Sequence, residues 1–410
     1  MHNDVVESQQ VRLIVRVAFV LGSIPTRNDQ ETDLHRAIVE KKDWLGQQAD
    51  SVSEELARRH AGSAVSVHLM YSWTSQLSVN GVEWFATKPP GIMSRRYFYQ
   101  GKQWSGEWMR RIVDWQPDLV HWQMNSYAYT FYMASRIMVR QGIPYVYQHH
   151  GPHLARKPWV RQILKYPHRH AARGIYLTRE HERAYREGLG LDADKNTVIP
   201  VGYEEKFHLM DRETCRSATG LVGNPILLWC GGLSERKDPI TVLQAYGRVA
   251  EKYPDSRLYM VGYGPLETRV RQLVSTHPEL QNRVILLGYV NNDRIPEMAN
   301  VADIFVLGSH GEGFSIASME AMACGAFPVL TTLPCFQEQT SDGRYGLLFE
   351  PGDVAGCAAH LDRAMGDVAF RESIRSQLPD VMTRYGWKHA AGRLVTLYEE
   401  VLGIAPTTHE

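Results

Sequence analysis

Apolar runs of strand length alternate with helix-like segments along this chain, and many of those runs lack the polar alternation of a half-exposed strand. Six come first: Leu13–Val20, Val65–Met70, Leu119–Trp122, Tyr145–Gln148, Gly174–Leu177 and Thr197–Pro200. Six more follow: Ile226–Cys230, Arg257–Val261, Val284–Leu287, Ile304–Leu307, Pro328–Thr331 and Leu347–Phe349. A strand that is apolar on both faces has to be covered on both, which is the condition of a parallel sheet between two helical layers. Two such sets in 410 residues predict an α/β chain of two doubly wound domains. The polar stretch Tyr203–Pro225, with Gly220 and Gly223 ahead of a new strand, holds the boundary, which is set at residue 205. The expected domains are 1–205 and 206–385, with a terminal helix in 386–410. Helical segments are expected near 354–366, 368–378 and 387–402; the last carries Trp387, Ala390, Leu394, Leu397, Tyr398 and Val401 at helical spacing.

Composition narrows the function. Forty-five basic residues balance 45 acidic ones, which argues against bulk nucleic-acid binding. The five cysteines form no C-x-x-C pair and are odd in number, so they read as reduced thiols of a cytoplasmic protein. The apolar run Val11–Pro25 is interrupted by Arg12 and Arg16 and is too short to span a bilayer; it reads as a first strand rather than a signal peptide. No histidine–cysteine cluster has zinc spacing, and no G-x-x-x-x-G-K-[ST] loop is present. Asp192 and Asp194 spell an Asp-x-Asp pair but sit in a polar loop and read as turn residues. No metal and no cofactor are expected.

The segment Gly311–Gly325, GEGFSIASMEAMACG, carries the clearest chemical signal. It follows the apolar run Ile304–Leu307 and leads into a helix-forming pattern. The layout is therefore strand, glycine-bearing loop, helix start. Free N–H groups at a helix start favour an anion such as a phosphate. Glu312 lies in the loop and Glu320 inside the helix, so the two carboxylates flank whatever rests on the amides of Phe314, Ser315, Ile316 and Ala317. Gly313 lets the loop approach a ligand closely.

This segment resembles the E-x7-E motif of the retaining, nucleotide-sugar-dependent glycosyltransferases of family four, which have the GT-B fold of two Rossmann-like domains. The surrounding order fits as well: PDLVH (Pro117–His121), HHG (His149–Gly151), VIPVGYEEKF (Val198–Phe207), GGLSERKDP (Gly231–Pro239), VGYGP (Val261–Pro265) and YGLLFEPGD (Tyr345–Asp353). The resemblance covers about residues 115–400 and is weaker before Trp115. It implies an acceptor-binding first domain, a donor-binding second domain, and a last helix that packs back on the first. It also implies that Glu312 approaches the donor sugar and Glu320 the ribose. Lys237 would hold the diphosphate, Gly262 and Gly264 would turn near the base, and His150 would stand near the reacting centre. His149 is the competing histidine and a candidate on the acceptor side, although strand alternation points it the other way.

The chain departs from the family in two places. Gly232 stands where an arginine usually contacts the diphosphate, and the adjacent Arg236 is the candidate replacement. The first-strand loop, LGSIPTRNDQETD, lacks the usual glycines, leaving Arg27 and Asn28 as candidate side-chain contacts on the acceptor side.

The expected activity is transfer of a hexose or N-acetylhexosamine from a nucleotide sugar, UDP-linked by preference, to an acceptor hydroxyl of a small natural product, a sugar or a lipid-linked saccharide. The alternatives are a GDP-mannose-dependent mannosyltransferase, a phosphorylase-like or epimerase-like use of the same fold, or a catalytically weak sugar-nucleotide-binding protein. Residues 119–179 contain nine Lys or Arg and no Asp or Glu. Within them, 154–166 reads as an amphipathic helix packed on its own sheet, as a weak peripheral contact with anionic lipid, or as a docking face for a phosphorylated acceptor. Six of ten tryptophans fall between Trp73 and Trp122, where they either fill a core or stack on a ring-bearing acceptor.

Overall fold

A computed structural model describes residues 14–21, 44–70, 74–88, 104–124, 128–151 and 157–405. Arg27, Asn28 and residues 154–156 of the basic segment lie outside the described residues. The chain divides into two compact units, Met1–Ile199 with Ala391–Glu410, and Pro200–Ala390.

The first unit is built on an eight-stranded sheet in the order β3-β4-β2-β1-β5-β6-β7-β8. Its strands are β1 (Arg16–Leu21), β2 (Ala64–Met70), β3 (Ser75–Val79), β4 (Val82–Thr87), β5 (Leu119–Met124), β6 (Tyr145–His149), β7 (Arg173–Tyr176) and β8 (Asn196–Val198). All neighbours are parallel except β3, which runs antiparallel to β4. Strands β1, β2 and β6 are buried almost throughout, as unbroken apolar runs require. The helices used below are α1 (Trp44–Arg59), α2 (Ala128–Gln141), α3 (Pro158–His170) and α4 (Arg179–Leu189). The tryptophan-rich segment fills the core here: Trp84, Trp108, Trp115 and Trp122 are buried, and Trp122 stacks on Phe131 with centroids 5.1 Å apart.

The second unit holds a six-stranded, wholly parallel sheet in the order β11-β10-β9-β12-β13-β14. Its strands are β9 (Ile226–Cys230), β10 (Arg257–Val261), β11 (Val284–Gly288), β12 (Ile304–Val306), β13 (Phe327–Thr331) and β14 (Leu347–Phe349). The chain starts at β9, winds outward to β11, then returns to β12 on the other side of β9. That reversal opens a crevice at the carboxyl ends of β9 and β12, the place where open α/β sheets bind ligands. The helices that frame it are α5 (Pro239–Ala250), α6 (Ile316–Ala323) and α7 (Pro334–Thr340). The terminal helix α8 (Trp387–Leu402) begins in this unit and ends in the first.

Two elements differ from expectation. The hairpin β3–β4 was not anticipated. Its two-residue turn, Asn80-Gly81, has φ of 53° and 76°, the left-handed pair that Asn-Gly accommodates. The helix expected over 368–378 is two helices, Val368–Arg375 and Leu378–Met382, because Pro379 lacks the N–H that would continue the first and sits instead in the opening turn of the second.

Candidate functional site

Three loops at the carboxyl ends of β9, β10 and β12 are stitched together through their backbones. Gly231 N donates to Val261 O at 2.9 Å and Leu233 N to Tyr263 O at 3.1 Å. Gly262 has φ of 127°, and a Cβ there would lie 1.8 Å from Gly231 O; one on Gly264 would lie 2.4 Å from Leu233 O. Both glycines are therefore fixed by the crossing of two loops, whatever a ligand requires. Gly232 is exposed, and a Cβ on it would meet only Tyr263 O at 3.7 Å.

The β9 loop runs into α5 through Asp238, a non-glycine residue at φ 42°. Its carboxylate accepts from Thr241 N at 3.1 Å and Thr241 Oγ1 at 2.6 Å, a side-chain cap that offsets the unusual backbone. His310 adds a contact from the β12 loop, with Nε2 2.9 Å from Asp238 Oδ2, and its N–H donates to Arg236 O at 2.8 Å.

This stitching brings together the charged residues singled out from sequence. Glu312 Oε1 lies 2.6 Å from Lys237 Nζ and accepts from Ser309 Oγ at 2.8 Å; Oε2 lies 2.7 Å from Arg236. Arg236 also donates to Gly311 O at 2.7 Å. The Glu312 carboxylate is 6% exposed, Lys237 12% and Arg236 57%. Burial pushes the Glu312 carboxyl upward, but the Lys237 and Arg236 charges outweigh it and hold it below the ordinary range. Glu312 is thus ionised, and Lys237 reaches the site as a shielded cation.

Helix α6 starts at Ser315 with extended backbone. The Ser315 hydroxyl is buried and makes no capping bond, so no side chain from that position satisfies the first amides of the helix. The loop is held from behind instead. Gln339 Nε2 of α7 donates to Ser315 O at 3.1 Å, and Ser318 Oγ lies 2.6 Å from Gln339 Oε1. Phe314 is buried with its ring 5.8 Å from that of Tyr385, while Gly313, Ile316 and Ala317 remain half-buried.

Glu320, one turn into α6, is half-buried, and its side chain has no hydrogen-bond or ion-pair partner among the described residues. Burial raises its pKa to about 8, the Glu204 charge adds to the shift, and Lys206 opposes it. Glu204 and Lys206 in turn fasten the loop after β11: Asn292 Nδ2 donates to Glu204 Oε1 at 3.2 Å, and Lys206 Nζ lies 3.0 Å from Asp293. Tyr263 and Tyr289, 53% and 71% exposed, stand at the ends of β10 and β11. A half-buried carboxyl without a protein partner is open to hydroxyl or amide donors.

Sequence reasoning missed Ser309, Glu204, Lys206, Tyr263 and Gln339. The EEKF run was visible as a motif, but nothing local tied it to residues near 292. Ser309 is three positions from Glu312, a spacing open to a loop hydrogen bond.

In the first unit, His150 follows β6 and is half-buried; its Nε2 contacts Gln123 Oε1, and burial lowers its pKa to about 3. Gln123 Nε2 donates to Gln48 Oε1 at 3.0 Å, and Gln48 Nε2 to Gln148 Oε1 at 2.8 Å, so a buried amide chain orients the ring. His149 points into the unit, 4% exposed, with its ring 3.9 Å from that of Tyr185. His168 donates from Nδ1 to Leu164 O at 2.7 Å, which leaves its Nε2 as an acceptor; His149 therefore donates across the 2.9 Å Nε2–Nε2 contact. With both nitrogens of the pair inside the core, His149 has a packing role. No group of three His, Cys, Asp or Glu side chains suited to a metal ion occurs among the described residues.

The family model described as Glycosyltransferase Family 4 matches residues 49–207, and that described as Glycosyl transferases group 1 matches residues 211–379. The chain is 24% identical over 290 residues to an alpha-D-kanosaminyltransferase of Streptomyces kanamyceticus, covering 67% of this chain and 74% of the relative. It is 29% identical over 251 residues to a phosphatidyl-myo-inositol mannosyltransferase of Mycobacterium tuberculosis, covering 59% and 63%. The structure superposes on that of Anabaena Alr3699/HepE in complex with UDP with a TM-score of 0.69 at 16% identity, covering 94% of this chain and all of the other.

Proposed function

The chain belongs to the family-four glycosyltransferases, with the GT-B fold, and from that premise we propose that it moves a hexose or N-acetylhexosamine from a nucleotide sugar to an acceptor hydroxyl with retention of configuration and without a metal ion. One observation carries the reading. At the reversal point of the second sheet, an ionised Glu312 with its two cations and an unpartnered Glu320 stand on either side of the α6 start.

The donor diphosphate rests on the first amides of α6, where partial positive charge collects. Glu312 accepts from hydroxyls of the sugar, and Glu320 from those of the ribose. As the bond from the anomeric carbon to the diphosphate oxygen breaks, that bonding pair leaves with the phosphate. Lys237, released in part from Glu312, meets the growing charge. The acceptor oxygen bonds to the anomeric carbon from the face the diphosphate leaves, and the acceptor proton passes to a diphosphate oxygen. The second unit holds the donor and the first the acceptor. His150, oriented by Gln123, gives the first unit a neutral hydrogen-bonding group for a substrate hydroxyl.

The UDP bound to the Anabaena protein supports a uridine donor, and the Mycobacterium relative's name keeps a mannosyl donor and a lipid headgroup acceptor in view. The second reading, a sugar-nucleotide-binding protein of low turnover, has its own observation: Gly232 supplies no cation, and Arg236 is engaged by Glu312 and Gly311. We place the protein in the cytoplasm with a peripheral membrane contact through its first unit.

The test is thermal shift with UDP-, GDP- and ADP-sugars on the wild type and Glu320→Ala. One nucleotide class near 100 times its dissociation constant stabilises the wild type by about 2.7 kcal/mol and the variant far less. Stabilisation by none of them, or equal stabilisation of both proteins, rejects the proposed donor site. Donor binding without nucleotide release across an acceptor panel selects the second reading.

A further inference from the structure

The outer faces of α2 and α3 are built unlike an ordinary helical surface. On α3, Trp159, Ile163, Tyr166 and His170 recur at steps of four, three and four, so they share one face. On α2, Tyr129, Tyr132, Arg136 and Val139 recur at steps of three, four and three and likewise share a face. Trp159 is 61% exposed, Tyr129 47% and Val139 40%, while Leu164, Pro167 and His168 of α3 turn inward. The two faces join. The Tyr132 and Tyr166 rings are 5.5 Å apart, Tyr166 stacks on His170 at 4.0 Å, and the Arg136 guanidinium lies 5.8 Å from the Tyr132 ring.

Cations border this aromatic strip without acids between them. Helices α2 and α3 contain Arg136, Arg140, Arg161, Lys165 and Arg169 and no Asp or Glu. Lys157, at the start of α3, has its ammonium 6.0 Å from the Trp159 ring. Arg136, Arg140, Lys165 and Arg169 form no ion pair among the described residues. Of the acids of the neighbouring α4, Glu182 is taken by Arg186 at 3.0 Å and Glu187 by Arg183 at 3.3 Å, while Glu180 is exposed in its first turn.

We infer that the joined α2–α3 face docks on an anionic lipid bilayer, with Trp159 and the tyrosines in the headgroup layer and the cations on lipid phosphates. This rests on the peripheral contact proposed above and extends it to a second helix. The argument is chemical complementarity. Indole and phenol rings are apolar bodies with a polar tip, suited to a bilayer interface, and unpaired cations around them match a negative surface. A soluble acidic polymer would use the cations but leave an exposed indole and valine without a partner. No helix among the described residues is long and apolar enough to cross a membrane, so this face would supply a surface contact.

The test is co-sedimentation of the full chain with vesicles of phosphatidylcholine alone and of phosphatidylcholine mixed with phosphatidylglycerol, at low and high salt. The variants are Arg136→Gln, Arg169→Gln and Trp159→Ala, all at exposed positions, each checked for an unchanged circular dichroism spectrum. The expected result is binding to the mixed vesicles only, weakened by salt, and reduced about fivefold for each cation neutralised. Trp159→Ala lowers binding at both salt concentrations. Absence of vesicle binding removes the peripheral contact altogether. Binding that the variants leave unchanged keeps a membrane contact but overturns its assignment to this face. Binding to heparin with none to vesicles assigns the face to an acidic polymer and overturns the inference. Nucleotide-sugar binding, measured on the same samples, is unaffected in every case.

Discussion

Gly262 and Gly232 stand in neighbouring loops, yet a side chain would meet opposite surroundings at the two. At Gly262 the backbone is left-handed and a carbonyl oxygen fills the space of a Cβ. Gly262→Ala should therefore cost about 3 kcal/mol or more, combining a strained φ with overpacking. Gly232→Ala, in open space, should change stability by less than about 0.5 kcal/mol. Urea titration of both variants checks the pair, and equal losses would contradict the loop crossing. The same comparison shows what a sequence can carry at this scale. The two glutamates and the helix start were legible because they lie within one short segment. The pairing of Arg236 with Glu312 spans 76 positions and depends on β9 and β12 being neighbours. The backbone crossing at Gly262 has the same origin. Arg27 and Asn28 lie outside the described residues.

At the scale of elements, the terminal helix α8 is fastened inside the first unit by two successive residues. Glu399 lies 2.8 Å from Arg59 at the end of α1 and 2.9 Å from His60, with only 2% of its side chain exposed. Tyr398 OH lies 2.6 Å from His121 Nδ1 on β5. Removing one partner of a buried ion pair strands the other, so Glu399→Ala should cost about 3–5 kcal/mol, read as a lower urea midpoint. Glu399→Gln, which keeps the hydrogen-bond acceptor, should lose less. The helix was legible from its apolar spacing, and Ile226–Cys230, Arg257–Val261 and Leu347–Phe349 were legible as central or covered strands. The β3–β4 hairpin was not, because Ser75–Val79 is a polar edge strand with no buried residue, and an apolar-run criterion passes over it. Its Asn80-Gly81 turn was the available signal.

Across the whole molecule, protons act on the two units in opposite directions. In the first unit, desolvation holds His68, His121 and His150 near pKa 3 and His168 near 4, against 6.5 when exposed. Their folded values are depressed, so their contribution is complete above 6.5 and is lost as pH falls from there towards 3. Glu320 in the second unit is raised from 4.5 to about 8, so its native state holds an extra proton between those values and loses stability as pH rises through them. Acidification from about 8 to about 4.5 should weaken the first unit while strengthening the second. Eight of the ten tryptophans precede residue 200 and all five cysteines follow it. Urea unfolding followed by tryptophan fluorescence and by thiol exposure to a dipyridyl disulfide therefore reports the two units separately. Midpoints that move together would reject the opposition. The division of the chain also bears on the order of its birth. The second unit is one continuous stretch, Pro200–Ala390, whereas the first needs residues after Ala391 to give Arg59, His60 and His121 their partners. On a ribosome, the half made first has to wait unfinished while the half made second closes, and is completed only when the last helix emerges.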